Sequence, residues 1–251
     1  MNIRKKTVSW FFLAPLIVTL VLLTVSKAGK AGIAGSKVDA VSTIWYTQIG
    51  AWHLVPNDSP GSMQSNRHYL FHDARSDGAR SGEATANVRL NTVLKLVRYC
   101  EFELSLGPAQ STAGLLLQNK QLTLLFLAKK NTIYDSLLIY SINNRRAQII
   151  GATATSIADT TKLTVYCNAD SLWFGSKKSI ISIARPEEFA GLTAVGFECQ
   201  SGSVKVFSLY LEAANTVVND SFDHAILYNL HLDNMLLSEK RSVPQQNAWQ
   251  Q

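Results

Sequence analysis

Apolar and polar residues alternate strictly in several short stretches of this 251-residue chain. In Cys100–Leu106 every second residue is apolar, and the carboxylates Glu101 and Glu103 lie between them. Residues 203–211 show the same pattern. A side-chain period of two is that of a β-strand, whose successive side chains point to opposite faces of a sheet. These stretches therefore predict strands with one face in a core and the other in solvent.

Further short apolar runs, rich in β-branched and aromatic residues, are separated by polar turn residues. The runs are Leu115–Leu117, Leu122–Leu127, Leu137–Ile142, Gln148–Ile150, Leu163–Tyr166 and Ala194–Phe197. Some runs are apolar throughout, which we interpret as strands with both faces covered. Strands at this spacing, with no long stretch of period 3.6 between them, favour an all-β sandwich or barrel over alternating strands and helices.

The first 30 residues carry a membrane signal. Arg4, Lys5 and Lys6 precede Val8–Val25, an uncharged run of 18 residues that is long enough to cross a bilayer as a helix. We favour an uncleaved signal anchor over the alternative, a cleaved signal peptide, because signal peptides usually have shorter apolar regions. Basic flanks stay in the cytoplasm. We therefore expect a single-pass membrane protein with a cytoplasmic N-terminus and an extracytoplasmic domain, either periplasmic or extracellular.

The sequence divides into five parts. Residues 1–7 are a cytoplasmic basic stub, 8–25 the transmembrane anchor or signal peptide, 26–43 a linker, 44–213 the β-sandwich, and 214–251 a C-terminal segment with a disordered tail. The apolar residues between His224 and Leu237 have mixed spacing, so they predict a helix only weakly.

Charge and cysteine spacing argue against two classes of function. The formal net charge is +6, but residues 1–30 hold five basic residues and no acidic one, so the rest of the chain is nearly neutral. A nucleic-acid-binding face is therefore not expected. No two of the three cysteines have the spacing of a zinc ribbon or a redox motif; they are Cys100, Cys167 and Cys199. One disulfide could form outside the cytoplasm, but we favour three buried thiols because their number is odd.

The order of the segments is similar to that of one known architecture. The matching pieces are Gly50–Leu54, Tyr99–Leu104, Ala113–Leu117, the hairpin of Lys162–Tyr166 with Asn168–Phe174, and the closing pair Val195–Cys199 and Gly202–Phe207. Together they resemble the concanavalin A-like lectin/glucanase fold, in its LamG-like and 3-keto-disaccharide hydrolase-like branch. The resemblance covers residues 43–213 and implies a jelly-roll β-sandwich. Because this fold carries enzymes, lectins and protein-binding modules, it implies no single function.

Glu101 and Glu103 are weak catalytic candidates. Glycosidases need two carboxyl groups that flank one sugar bond, and these two share a strand face. The glucanase signature that the chain resembles has a third acid where Ser105 stands here, so we favour a solvated strand face over an active site. His68 and His72 would suit a metal ion on a helix. On a strand they stand about 13 Å apart, so we expect no metal site.

Aromatic residues are the better candidates for a ligand site, because exposed aromatic rings stack on sugars in lectin-like domains. The resemblance places Trp52 in the core, and we expect Phe174 to be buried as well. Trp45, Tyr46 and Trp173 are then the candidate ligand-binding residues.

These observations favour a non-catalytic, membrane-tethered recognition module that binds a glycan or an envelope protein. Two alternatives stay open: a glycoside hydrolase that uses Glu101 and Glu103, and a structural protein of envelope assembly. No cofactor is indicated. Asp and Asn residues in the loops Val55–Ser65 and Asp73–Glu83 could bind a structural calcium ion, but their spacing matches no calcium loop.

Overall fold

Every regular element in the part of the chain that the computed structural model describes is a β-strand. The described residues are 43–56, 68–74, 85–108, 110–144 and 146–229. Among them there is no helix of the length and apolar character that a membrane span requires. The predicted anchor, the linker up to residue 42, most of the two candidate calcium loops and the tail from residue 230 lie outside the described residues.

The strands form two sheets. Sheet A contains, from edge to edge, β16 (Ile226–Asn229), β1 (Ile44–Ile49), β4 (Ala86–Lys95), β13 (Leu192–Ser201), β6 (Thr112–Gln118), β7 (Leu122–Lys129), β8 (Asp135–Asn143) and β9 (Arg146–Thr155). Sheet B contains β12 (Ile180–Ala184), β11 (Ser171–Gly175), β10 (Thr161–Cys167), β5 (Val97–Leu106), β14 (Ser203–Ala213), β3 (His68–Asp73) and β2 (His53–Pro56), and β15 (Val217–Asp220) pairs with β14.

The predicted alternation is what fills the space between the sheets. Along β5, Cys100, Phe102 and Leu104 are buried in the main core, whereas the residues between them are partly exposed. The same core holds Trp52 and Phe174, each with no exposed surface, as the sequence predicts. The prediction of an all-β sandwich whose strands bury one face is therefore confirmed.

The central strands of sheet A are covered on both faces. Leu116, Leu125, Leu127 and Leu138 occupy the positions between core residues, so they face away from the main core. At most 9% of each side chain is exposed, and the four form a second apolar cluster against which Tyr140 packs. The interpretation of the fully apolar runs as doubly covered strands is confirmed.

The sandwich continues beyond residue 213, where the strand pattern of the sequence places its boundary. Strand β15 extends sheet B beside β14, and β16 pairs in parallel with β1 at the edge of sheet A. Residues 226–229 are therefore a strand, although the mixed spacing after His224 gave a weak helix signal.

All three cysteines lie within the described residues, and none forms a disulfide. Each is buried in the core, which confirms the expectation of three small buried side chains. Burial raises the pKa of the Cys167 thiol to about 11 and that of Cys100 well above its usual range. These two thiols therefore stay protonated and unreactive at neutral pH.

Candidate functional site

Trp45, one of the three predicted ligand-binding residues, is fully buried. Strand β1 turns its ring into the core, where it stacks on Phe197 with ring centroids 5.6 Å apart. Its indole N–H donates to Asp220 Oδ2 at 2.8 Å. The prediction of a surface role for Trp45 is therefore wrong, because the strand gives this residue a core position and the core supplies its polar partner.

Tyr46 and Trp173 lie on opposite faces of the sandwich. Tyr46 follows Trp45 along β1, so it faces outward from sheet A, where it lies opposite Arg89 of β4. Burial lowers the pKa of Arg89, and the nearby Tyr46 and Glu198 partly offset this effect. Trp173 faces outward from sheet B. The structure therefore does not bring the predicted ligand-binding residues together.

Trp173 belongs to a row of aromatic side chains across three neighbouring strands of sheet B. It lies opposite Tyr166 of β10, which in turn lies opposite Tyr99 of β5. The rings of Trp173 and Tyr166 are 5.8 Å apart between centroids. All three side chains are half-buried on the outer face of the sheet. We call Tyr99, Tyr166 and Trp173 the aromatic row.

Two tyrosine–glutamate pairs lie at one end of the aromatic row. The Tyr99 hydroxyl donates to Glu101 Oε2 at 3.2 Å, and the Tyr210 hydroxyl on β14 donates to Glu212 Oε1 at 2.6 Å. The register places Tyr99 opposite Glu212 and Tyr210 opposite Glu101, so the pairs run head to tail. The two tyrosine rings meet edge to face, 6.0 Å apart between centroids.

Both phenols of these pairs are held in the neutral form. Burial and then the charge of Glu101 raise the pKa of Tyr99 to about 12. The hydrogen bond to Glu212 is the largest cause that raises the pKa of Tyr210, also to about 12. Both hydroxyls therefore remain donors at neutral pH, and each orients its carboxylate.

Glu101 and Glu103 face outward together, as the alternation predicts. Lys162 Nζ donates to Glu101 Oε1 at 2.8 Å, and this hydrogen bond raises the pKa of Lys162. The Glu101 carboxylate thus has two donors, Lys162 and Tyr99. Glu103 lies opposite Lys162 and Ser208 in the register, and no described side chain donates to its carboxylate. Glu103 is therefore available to accept hydrogen bonds from a ligand.

His68 and His72 both lie in strand β3, as expected. His72 is buried, and its Nδ1 lies 2.7 Å from the carbonyl oxygen of Ala51. Over the described ranges, no group of three or more His, Cys, Asp or Glu side chains could hold a metal ion. The candidate site is the aromatic row with its neighbouring carboxylates.

Sequence reasoning missed Tyr99, Tyr166, Tyr210 and Glu212. A signal for three of them was present, because Tyr99 precedes Glu101 by the same two residues by which Tyr210 precedes Glu212. Both pairs lie in the strands with the clearest alternation, so each pair shares a face. Tyr166 has no such signal, since its place beside Trp173 depends on the register of the hairpin.

The outer face of sheet B combines two kinds of surface. The aromatic row offers ring surface, and the three carboxylates of Glu101, Glu103 and Glu212 offer charged acceptors. Lys162 and Tyr99 both donate to Glu101, so this carboxylate already has two partners on the face, whereas Glu103 has no donor among the described side chains.

Comparison with known proteins gives similar folds. No protein-family model and no curated protein matches the sequence. The solved structures that are similar include the carbohydrate binding module CBM66 from Bacillus subtilis, with 12% identity, 63% of this chain and 93% of that chain covered, and a TM-score of 0.42. The legume lectin-like domain from Entamoeba histolytica has 8% identity, 72% and 100% coverage, and a TM-score of 0.45. A family 16 glycosyl hydrolase from Mycobacterium smegmatis has 12% identity, 70% and 94% coverage, and a TM-score of 0.41.

These similar structures, with galectin-type and family 43 neighbours, all have concanavalin A-like jelly-roll folds. That is the architecture which the order of segments in the sequence resembles. At such identities and TM-scores the likeness concerns the arrangement of strands and carries no conclusion about a ligand or an activity.

Proposed function

We propose that this chain is a non-catalytic recognition module that binds a glycan on the outer face of sheet B. The observation that carries the proposal is the aromatic row: three half-buried rings in register on adjacent strands. Three carboxylates lie on the same face beside it.

The chemistry of a sugar matches this face. A pyranose ring has apolar C–H surfaces and a rim of hydroxyl groups. Tyr and Trp rings bind apolar surface while their hydroxyl or N–H group remains in contact with water, so these residues suit a half-exposed position. Ionised carboxylates accept strong, charge-assisted hydrogen bonds from hydroxyl groups. Glu103, whose carboxylate has no donor among the described side chains, is the best placed acceptor.

Hydrolysis of a glycoside is the rival that Glu101 and Glu103 leave open. Their shared face supports it, but the engagement of Glu101 with Lys162 and Tyr99 opposes a role as general acid. We therefore expect no release of reducing sugar by the chain or by its Glu101→Gln variant. If the parent chain releases reducing sugar and the Glu101→Gln variant does not, the chain is a glycoside hydrolase and the binding proposal is wrong.

We also propose that residues 8–25 tether the module to a membrane, with the sandwich on the extracytoplasmic side. The support is the uncharged run of 18 residues behind Arg4, Lys5 and Lys6. Fractionation of cells that express the full chain would test this. We expect to recover the chain in the membrane fraction. Protease added to intact cells, on the outer side of the membrane, should cleave the sandwich, and protease confined to the cytoplasmic side should not.

A glycan array with the full chain in detergent tests the binding proposal. Trp173→Ala removes part of the aromatic row, and Tyr46→Ala removes a half-buried ring from the opposite face, so the second variant is the matched control. We expect Trp173→Ala to bind at least about tenfold more weakly, a loss of about 1.4 kcal/mol. Tyr46→Ala should bind like the parent chain.

Two outcomes would oppose this proposal. Equal loss in both variants would place the glycan elsewhere. A well-folded parent chain that binds no glycan would favour a protein partner in the envelope, and a pull-down from envelope extracts would then be the next measurement.

A further inference from the structure

We infer that the ligand is a linear, uncharged glycan whose chain crosses the strands of sheet B from β14 to β11. The inference rests on the proposed function and adds the direction, the length and the charge of what is bound.

The direction follows from the strand register. Tyr210 of β14 contacts Tyr99 of β5, which lies opposite Tyr166 of β10, which lies opposite Trp173 of β11. The rings thus follow one another from strand to strand. A glycan that ran along the strands would meet only one or two of them, whereas a glycan that crosses the strands meets all four.

The length follows from the spacing of strands. Four neighbouring strands of a sheet span about 14 Å, which is room for about three pyranose rings in line. Beyond Trp173 the register position on β12 is the exposed Ser182, and beyond Tyr210 the position on β15 is the exposed Asn219. The ring surface therefore ends on both sides, and a longer glycan gains no further aromatic contact on this row.

The register row next to the aromatic row is open beside Tyr166 and filled beside Trp173. Thr164, a short residue, lies two residues from Tyr166 on β10, and opposite it on β11 lies the buried Gly175, two residues from Trp173. Ser179 and Ile180 fill the space over Gly175, where a Cβ would clash with the Ser179 carbonyl oxygen. A sugar can therefore approach Tyr166 over Thr164, whereas Trp173 is covered on that side.

The charge follows from the ionisable groups of the face. Glu101, Glu103 and Glu212 lie within two register rows of the rings, and Lys162, which lies opposite Glu103 on β10, already donates to Glu101. A carboxylate on the sugar would meet an excess of negative charge, and like charges at short range oppose binding until salt screens them. Neutral sugars avoid this cost, and their hydroxyl groups supply the donors that Glu103 lacks.

Calorimetric titration of the full chain in detergent tests all three features. The probes are oligomers of glucose, mannose, galactose and xylose of two to six units, with oligouronates of the same lengths as acidic counterparts. We expect affinity to rise up to about three units and then to level off. We expect the oligouronates to bind at least tenfold more weakly than neutral oligomers of the same length at low salt. The Glu103→Gln variant should show a smaller difference in affinity between the neutral and the acidic oligomers.

The outcomes separate this inference from the proposal beneath it. A disaccharide that binds as tightly as a hexasaccharide would contradict the inferred length of the glycan. Equal binding of neutral and acidic oligosaccharides would contradict its inferred lack of charge. If Tyr166→Ala leaves binding intact while Trp173→Ala weakens it, the crossing direction is overturned although glycan binding stands. Failure of every probe to bind the folded chain would defeat the proposed function itself.

Discussion

Trp45 and Asp220 are 175 residues apart in the chain, yet the indole N–H of Trp45 donates to Asp220 Oδ2 at 2.8 Å within the core. The same oxygen accepts from the hydroxyl of Thr43, and Oδ1 accepts from the backbone N–H of Phe222 at 2.7 Å. Because Asp220 ends β15 and Trp45 lies in β1, one buried carboxylate joins the first described strand to the C-terminal strands.

Replacement of Asp220 by Asn should lower the free energy of unfolding by about 1–3 kcal/mol. Both carboxylate oxygens accept hydrogen bonds, so the amide NH₂ of Asn must face a donor whichever way it turns. Urea unfolding followed by Trp fluorescence would measure the loss. The control is Asp170→Asn, an exposed carboxylate for which we expect a change below about 0.5 kcal/mol. Equal effects of the two variants would contradict the role given to Asp220.

This contact also marks the limit of what the sequence could reveal. The alternation in Cys100–Leu106 predicts the strand and the shared outer face of Glu101 and Glu103, because period two is a local property of the chain. The core position of Trp45 is not local. It depends on a partner that only the closed sandwich brings near.

The aromatic row was out of reach for a related reason. The sequence predicts Trp173 as a candidate because a single tryptophan is visible without knowledge of its neighbours. Its neighbours Tyr166 and Tyr99 join it only through the pairing register of three strands. Period two tells which residues share a face of one strand, but it does not tell which residues of different strands lie opposite each other.

Stability should fall between about pH 10 and pH 12 through Tyr99. Its pKa in the folded chain is about 12, whereas an unfolded tyrosine has a pKa of about 10. Above pH 10 the unfolded chain therefore loses its proton first, and the stabilisation that is complete below pH 10 disappears as the pH rises through 12.

Urea unfolding at pH 9 and pH 11 would measure this effect, with Tyr99→Phe as the variant. Phe carries no ionisable group, so the variant should lose less stability than the parent chain between the two pH values. Tyr134→Phe is the control, since this tyrosine is 64% exposed. If the parent chain and the Tyr99→Phe variant lose the same free energy of unfolding between pH 9 and pH 11, the pKa of Tyr99 is not raised in the folded chain.

Lys162→Gln should change the free energy of unfolding by no more than about 1 kcal/mol, and less at high salt. The pair is close, with 2.8 Å between Lys162 Nζ and Glu101 Oε1, but the Lys162 side chain is 53% exposed and solvent screens the attraction. Urea unfolding of the parent chain and the variant in 0.1 M and 1 M salt would measure the loss of stability and its dependence on salt. A loss well above 1 kcal/mol that persists in 1 M salt would mean that the ion pair is structural rather than part of a binding face.

Leu125→Ala should be costly although Leu125 points away from the main core. The side chain has no exposed surface and belongs to the second apolar cluster of sheet A. Truncation of a buried leucine leaves a cavity and typically costs about 2–5 kcal/mol.

The control for Leu125 lies in the same register row. Leu125 is opposite Tyr140, which is opposite Ile149 on the edge strand β9, and Ile149 is 49% exposed. Ile149→Ala should therefore cost less than about 1 kcal/mol. A large gap between the two variants means that the outer face of sheet A is packed at its centre and open at its edge. Similar small effects would mean that the second cluster contributes nothing to stability, because a side chain without packed neighbours loses little when it is truncated.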